Sequence, residues 1–335
     1  MSPAPILLMG GSGAIGHQTT RKLRGTHPEI PLLIGGRDLT KAENAAAEIG
    51  HAEGVALDPT AADLGLGDRP IRAVAVLYMD HALAGLRFAQ SRGIPHISIS
   101  TGIFEIAPEI ATYINAPDAA PIVLGYEWLV GATTVPALEI ARTYSQVDEI
   151  LIGALVDEQD TGGPTVAKDF AHLKRMMPAA FTRRGGDYLW REGDAAKTSF
   201  RAIDGTVMDA EGFSSIDVMG LAAATGARNV EFNIATGVSS SRRRGEPKST
   251  EIVLEFAGRD QKDEPLRTRH VVMHPDGAAP LTGIGIAMIL ERLLGLDGEV
   301  PTAPGLYFPY QLLSYDTYIS RLEQDGGAVI EGEIR

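Results

Sequence analysis

Short apolar runs alternate with amphipathic stretches along the first third of the chain, and this alternation predicts strands and helices in turn. Ile6–Met9 is apolar throughout and stops at Gly10, and Ala14–Arg24 follows with helix formers and a late basic cluster. That order reads as strand, glycine turn, helix. Pro31–Ile34 is a second run. Leu39–Ile49, rich in alanine and glutamate, carries Thr40 and Glu43 at capping-box spacing before Gly50 ends it. Gly54–Leu57, Ala73–Tyr78, His96–Ser100 and Pro121–Leu124 predict four more strands, separated by helical patterns such as Asp80–Gln90. Such alternation makes a doubly wound parallel α/β sheet of the Rossmann type.

From about Val147 the pattern changes. Longer runs, Glu149–Val156, Asn229–Ile234, Thr250–Phe256 and Leu266–Met273, follow one another with few helices between them. They predict a mainly antiparallel sheet in an inserted α+β domain. The glycine-rich polar stretches Thr182–Asp194 and Gly237–Ser249 read as loops. Leu281–Leu294 is apolar on most sides and predicts a buried helix. The expected organisation is a nucleotide-binding domain from residues 1–131 and 278–335, with a substrate and dimerisation domain from 132–277 between them.

The 335 residues carry a formal charge of −13, so neither nucleic acid nor an anionic membrane is the expected partner, and a small molecule is. The absence of cysteine removes disulfides and thiolate chemistry. No His/Asp/Glu grouping has convincing metal spacing. The start lacks a basic region followed by an unbroken apolar core, and Glu291 and Arg292 interrupt the apolar stretch near the end, so a cytoplasmic protein is expected.

The chemistry begins at Gly10, Gly11, Ser12, Gly13, Ala14, Ile15 and Gly16, which contain G-x-G-x-x-G directly after a strand and at the opening of a helix. In that context the glycines allow a tight turn and let a pyrophosphate reach backbone N–H groups at the helix N-terminus. The second strand ends in Ile34-Gly35-Gly36-Arg37-Asp38. About 20 residues beyond the third glycine, an acid would bind the ribose 2′-hydroxyl of NAD(H). Here Gly36 takes that place and Arg37 follows, which favours NADP(H) through a guanidinium on the 2′-phosphate and makes NAD(H) the less favoured cofactor. Asp38 is a ribose ligand or a helix cap on this reading, and Lys41 is a second positive charge or an ordinary exposed helix residue. Other strand ends offer Asp58, Leu77, Tyr78, Met79, Ser100 and Thr101 as further cofactor contacts.

With these segments the chain resembles the saccharopine dehydrogenase-like family. The resemblance rests on GGSGAIG, on GGRDLTKAENAAAEIG, on HISISTG and on the closing TGIGIAMILERLLG and TAPGLYFPYQLLSYDTYISRLEQDGG. It implies a nucleotide-binding Rossmann domain, an inserted domain for substrate and dimerisation, and oxidoreduction of a C=N or C–N bond. Relatives often show a glycine-x-x-proline-glycine turn where this chain has Gly125-Tyr126-Glu127-Trp128-Leu129-Val130-Gly131, a departure that bears on the substrate. Tyr126 and Glu127, after the sixth strand, and Asp157, after the first strand of the inserted domain, are the proton-transfer candidates. Arg242-Arg243-Arg244 reads as a solvated loop. Reduction of C=O or C=C bonds and non-catalytic sensing of NADP(H) are the alternatives, because one cofactor scaffold supports all of them.

Overall fold

The computed structural model describes residues 3–99, 103, 106–160, 172 and 175–332. The chain divides into two compact units, the first from Met1–Ser100, Phe104–Tyr126 and Thr282–Leu313, the second from Thr101–Ile103, Glu127–Leu281 and Ser314–Arg335.

In the first unit the predicted apolar runs form β1 (Ile6–Met9), β2 (Leu32–Gly36), β3 (Ala52–Ala56), β4 (Ala73–Val76), β5 (His96–Ile99) and β6 (Pro121–Gly125). All pair in parallel in the order β3-β2-β1-β4-β5-β6, with Gly305–Tyr307 as a seventh strand beside β6. The first strands are apolar at every position because helices cover both faces, leaving no wet side to record as alternation. Leu7, Met9, Leu33, Val74, Val76 and Phe88 make a dry core on one face. Helices α1 (Ala14–Thr26), α2 (Leu39–Ile49), α3 (Ala84–Arg92) and α4 (Ile106–Ile114) connect the strands. The strand order reverses between β1 and β4, where such folds leave a crevice at the carboxyl ends. Asp38, not the Thr40/Glu43 pair, caps α2: its Oδ1 accepts the Lys41 N–H at 3.1 Å. The helix starts two residues earlier than the capping-box spacing implied.

The second unit is built on β7 (Tyr144–Asp157), β8 (Ala180–Arg184), β9 (Asp187–Arg191), β10 (Lys197–Arg201), β11 (Val207–Gly212), β12 (Asn229–Gly237), β13 (Thr250–Asp260) and β14 (Pro265–His274). Its main path runs β10-β11-β12-β7-β13-β14 and ends on Ala328–Gly332, and only β12 with β7 is parallel. One face, with Ile150, Ile152, Leu254, Phe232 and Val272, is fully buried. The opposite face is covered at one end by β10 and β11: Leu155, Ala210 and Ala235 form an apolar cluster packed by Phe200 and Met208. Phe200 lies so close to Gly153 that a Cβ there would stand 2.5 Å from its ring.

Three expectations change. Residues 314–335 belong to the second unit and not to the first. Ala328–Gly332 pairs with β14, which would otherwise leave an unpaired edge, and the helix Tyr315–Gln324 buries Tyr318 and Leu322 completely. The stretch 182–194 holds most of the β8–β9 hairpin, with a Gly185–Gly186 turn at φ +60° and +101°. The stretch 237–249 is pinned instead of open, because each arginine of the Arg242–Arg244 run pairs with an acid: Asp157 and Glu158, Asp204, and Glu246. Among the described residues, no helix is long and apolar enough to cross a membrane.

Candidate functional site

The turn after β1 is fixed by its backbone. The Gly10 N–H donates to Gly35 O at 2.8 Å and the Gly13 N–H to Gly10 O at 3.0 Å. Gly10 sits at φ +81°, with the Tyr78 ring over it, 3.0 Å from where a Cβ would be. Gly16 lies against the turn, and a Cβ on it would stand 2.5 Å from the Gly11 Cα and carbonyl carbon. The helix can approach the strand only because both residues lack side chains. Helix α1 has no side-chain cap and no acid in its first turn, so its leading N–H groups face outward with the positive end of the helix dipole. Ser12, Gly13 and Ala14 are exposed there, with Ile15 half-buried behind them. This is an anion cradle built from backbone alone.

Arg37 follows β2 and is exposed, and among the described residues its guanidinium has no hydrogen bond or ion pair. Asp38 turns back to cap α2, and Lys41 Nζ lies 3.9 Å from it. Asp38 is therefore engaged as a cap, the second of its two expected roles. Leu77 is buried, and Tyr78 and Met79 are half-buried. Burial, reinforced by the charge of Asp80, pushes the Tyr78 phenol up to about 12, while Arg37 pulls it the other way. Tyr78 is thus a neutral wall. Asp58 accepts both the Thr60 N–H at 2.9 Å and the Thr60 hydroxyl at 2.6 Å, which holds its carboxyl below its ordinary value and marks it as a turn residue. Ser100 and Thr101 lie outside the described residues.

The proton-transfer candidates are all buried. Glu127 accepts a hydrogen bond from the Thr134 hydroxyl and lies near Tyr318, whose phenol is raised by burial and then by the Glu127 charge. Asp157 accepts the N–H groups of Gln159 and Ser239, each at 2.8 Å, and Arg242 at 2.8 Å. Burial opposes its charge, but these donors outweigh burial and hold the carboxyl at about 2. A carboxylate that acidic neither donates nor accepts a proton usefully near neutrality. Asp157 anchors the 237–249 segment, a role its position at a strand end did not reveal.

Among the buried carboxyls that the sequence did not single out are Glu109 and Asp217. Ser98, near the carboxyl end of β5, donates its hydroxyl to Glu109 at 2.9 Å. Asp217, at the start of the helix Asp217–Thr225, accepts the Trp128 N–H at 2.8 Å and the Ser215 hydroxyl. Its placement in a first helical turn after two serines was the available signal. Trp128 precedes Leu129, Val130 and Gly131, three successive residues at φ +53°, +56° and +94°. A β-branched residue in that region is strained, so the Asp217 contact holds the start of a costly turn.

Burial pushes the Asp217 carboxyl up to about 6 from 3.8, against the pull of Ser215 and the Trp128 N–H. The folded state therefore binds this proton more tightly than the unfolded chain. The stabilisation is complete below pH 3.8 and is lost as pH rises through about 6. It is worth on the order of 3 kcal/mol. Denaturation followed from acid to neutral pH should show this loss, and Asp217→Asn should flatten it. An unchanged slope in the variant would remove Asp217 as the titrating group.

No family model matches the chain, and no curated protein matches its sequence. Solved structures do match. The apo saccharopine dehydrogenase (L-Glu forming) of Saccharomyces cerevisiae superposes with a TM-score of 0.65 at 14% identity, over 99% of this chain and 100% of that one. The myo-inositol dehydrogenase of Lactobacillus casei, solved with NAD(H) and myo-inositol, gives 0.50 at 10% identity over 99% and 97%. The chain shares its fold with these two dehydrogenases. The Rossmann-type sheet with a second, mixed-sheet unit expected from the saccharopine dehydrogenase-like resemblance is present. In this fold the glycine turn, Arg37 and Tyr78 all stand at carboxyl ends of the parallel strands.

Proposed function

We propose that this protein is an NADP(H)-dependent oxidoreductase acting on a C=N or C–N bond of a small molecule. The observation that carries the cofactor reading is Arg37: an exposed guanidinium just beyond β2, without a hydrogen bond or ion pair among the described residues, on the strand next to the one whose glycine turn opens an uncapped helix. The residues fit the dinucleotide. The leading N–H groups of α1 would hold the pyrophosphate, Arg37 the 2′-phosphate, and the Tyr78 ring would close one wall. The nicotinamide supplies or accepts the hydride when bound. Bond type is supported by the saccharopine dehydrogenase-like resemblance, with Tyr126 and Glu127, directly after β6, as the groups that handle the proton.

Oxidation of NADPH on addition of candidate imines tests this. Turnover is expected with an imine, and Glu127→Gln should lose about a hundredfold or more while binding NADPH normally. Normal turnover with a lowered melting temperature would reassign Glu127 to supporting Thr134. Tight NADPH binding without turnover on any imine or carbonyl would favour a sensor.

The same reading includes a homodimer through the second unit. The uncovered part of its sheet is a shallow depression of about 390 Å³ with Glu149, Glu255, Arg267, Arg269 and Ile330 in its lining. Glu149 and Arg267 flank the small Ala257 in one row across β7, β13 and β14, and neither has an ion-pair partner among the described residues. A two-fold arrangement would pair each with its opposite in a second copy. Light scattering should report a dimer that Arg267→Glu weakens and Glu149→Arg with Arg267→Glu restores; a monomeric wild type would end this reading.

A further inference from the structure

The β8–β9 hairpin presents an aromatic face that none of the roles above uses. Phe181 stands opposite Trp190 and Arg183 opposite Tyr188, so these four side chains share one face. They form a ladder: Phe181 and Tyr188 stack at 5.2 Å and 12°, Phe181 meets Trp190 at 5.0 Å, and the Arg183 guanidinium lies 4.9 Å above the Tyr188 ring. Phe181 is buried beneath, while Tyr188 and Trp190 are 46% and 49% exposed.

The hairpin's other contacts make this face rigid. Thr182 donates to Val230 O at 3.0 Å, the Phe181 N–H to Ser214 at 2.8 Å, and buried Arg191 to Glu231 at 3.2 Å and Asn233 at 3.0 Å. Arg184 also pairs with Glu231, at 2.7 Å. Arg183 does not share in this. Its Nε is buried without a hydrogen bond, and among the described residues its guanidinium has no acid partner, in a chain of net charge −13. Arg183 as a whole is half-buried, and a guanidinium without an acid beside it favours an anionic ligand.

We propose that this face binds an aryl carboxylate, with the ring against Trp190 and the carboxylate on Arg183. The two side chains are diagonal neighbours across the hairpin, about 7–8 Å apart at the backbone, a span that an arylalkanoate bridges. Stacking on the indole and a charge-assisted bond to the guanidinium are complementary to the two halves of such a molecule. Two half-exposed rings fall far short of the roughly 800 Å² per partner that a stable protein interface buries, which favours a small molecule over a second chain.

The test labels the full chain with 5-fluorotryptophan. The chain has two tryptophans, Trp128 buried and Trp190 half-exposed, so ¹⁹F spectra give two resonances, assigned through Trp190→Phe. Phenylpyruvate is the probe, with phenylacetone and pyruvate as controls lacking the charge or the ring. The Trp190 resonance is expected to shift saturably with phenylpyruvate and little with either control, while that of Trp128 stays fixed. Arg183→Met should weaken the shift by about tenfold to a hundredfold, and a circular dichroism spectrum matching wild type confirms that the variant folds. Equal response to phenylacetone, no saturable shift, or a Trp190 resonance that moves on dilution without ligand would each overturn the proposal. The readout involves no nicotinamide, so its failure is distinct from a failure of the NADP(H) reading.

Discussion

Arg37→Ala should weaken NADPH binding by about tenfold to a hundredfold and leave NADH binding nearly unchanged. A charge-assisted contact to a phosphate contributes about 1.5–3 kcal/mol, and each 1.4 kcal/mol is a factor of ten in affinity. The effect should be selective because the guanidinium is exposed and has no hydrogen bond or ion pair among the described residues, so its loss leaves none of them unpaired. Titration of both cofactors against the variant is the measurement. Equal loss of NADPH and NADH would make Arg37 structural, and no loss with either would move the 2′-phosphate elsewhere.

Gly16→Ala should have the opposite signature, with both cofactors lost together. The added Cβ would stand 2.5 Å from the Gly11 Cα and carbonyl carbon, and the conflict is with backbone, which no rotamer change relieves. Helix α1 must move off the glycine turn, at a cost of about 1–3 kcal/mol or more for overpacking. The displaced N–H groups then no longer converge on one anion, and an affinity loss of about a hundredfold for NADPH and NADH alike is expected. Calorimetric binding beside a melting curve checks it. If affinity survives while the melting temperature falls, the turn packs the helix without holding a pyrophosphate. Gly36→Asp separates this from ribose recognition: Gly36 has open space around its Cβ direction, so the fold should persist while a 2′-phosphate is repelled.

The catalytic candidates show where a linear reading stops. Strand ends could be located from apolar runs, and Glu127 and Asp157 stood at strand ends. Which donors would converge on each carboxyl was not visible. Asp157 is held by residues some eighty positions away, Ser239 and Arg242, and Glu127 by a threonine seven positions further on, at the start of the next helix. Asp217, a carboxyl tuned toward neutrality, looked like any acid opening a helix until the fold enclosed it against Trp128. The basic triplet Arg242–Arg244 likewise looked solvated because its acid partners Asp157 and Asp204 come from other strands and loops.

Sequence alone determined the first unit of this protein. Its first strands are continuous apolar runs, its turn is spelled in glycines, and the residue proposed to discriminate between cofactors is the one position after β2. All three are local properties, governed by burial on both sheet faces, by backbone freedom and by the charge of one side chain. Tertiary structure decided the rest. Residues 314–335 joined the second unit because an unpaired edge of β14 needed hydrogen bonds that Ala328–Gly332 could supply. The hairpin of β8 and β9 became an aromatic ladder through cross-strand register. Asp157 and Asp217 acquired their acidities from the donors and the burial that exist only on folding, since the energy of a charge depends on everything near it in space and hardly at all on its neighbours in the chain.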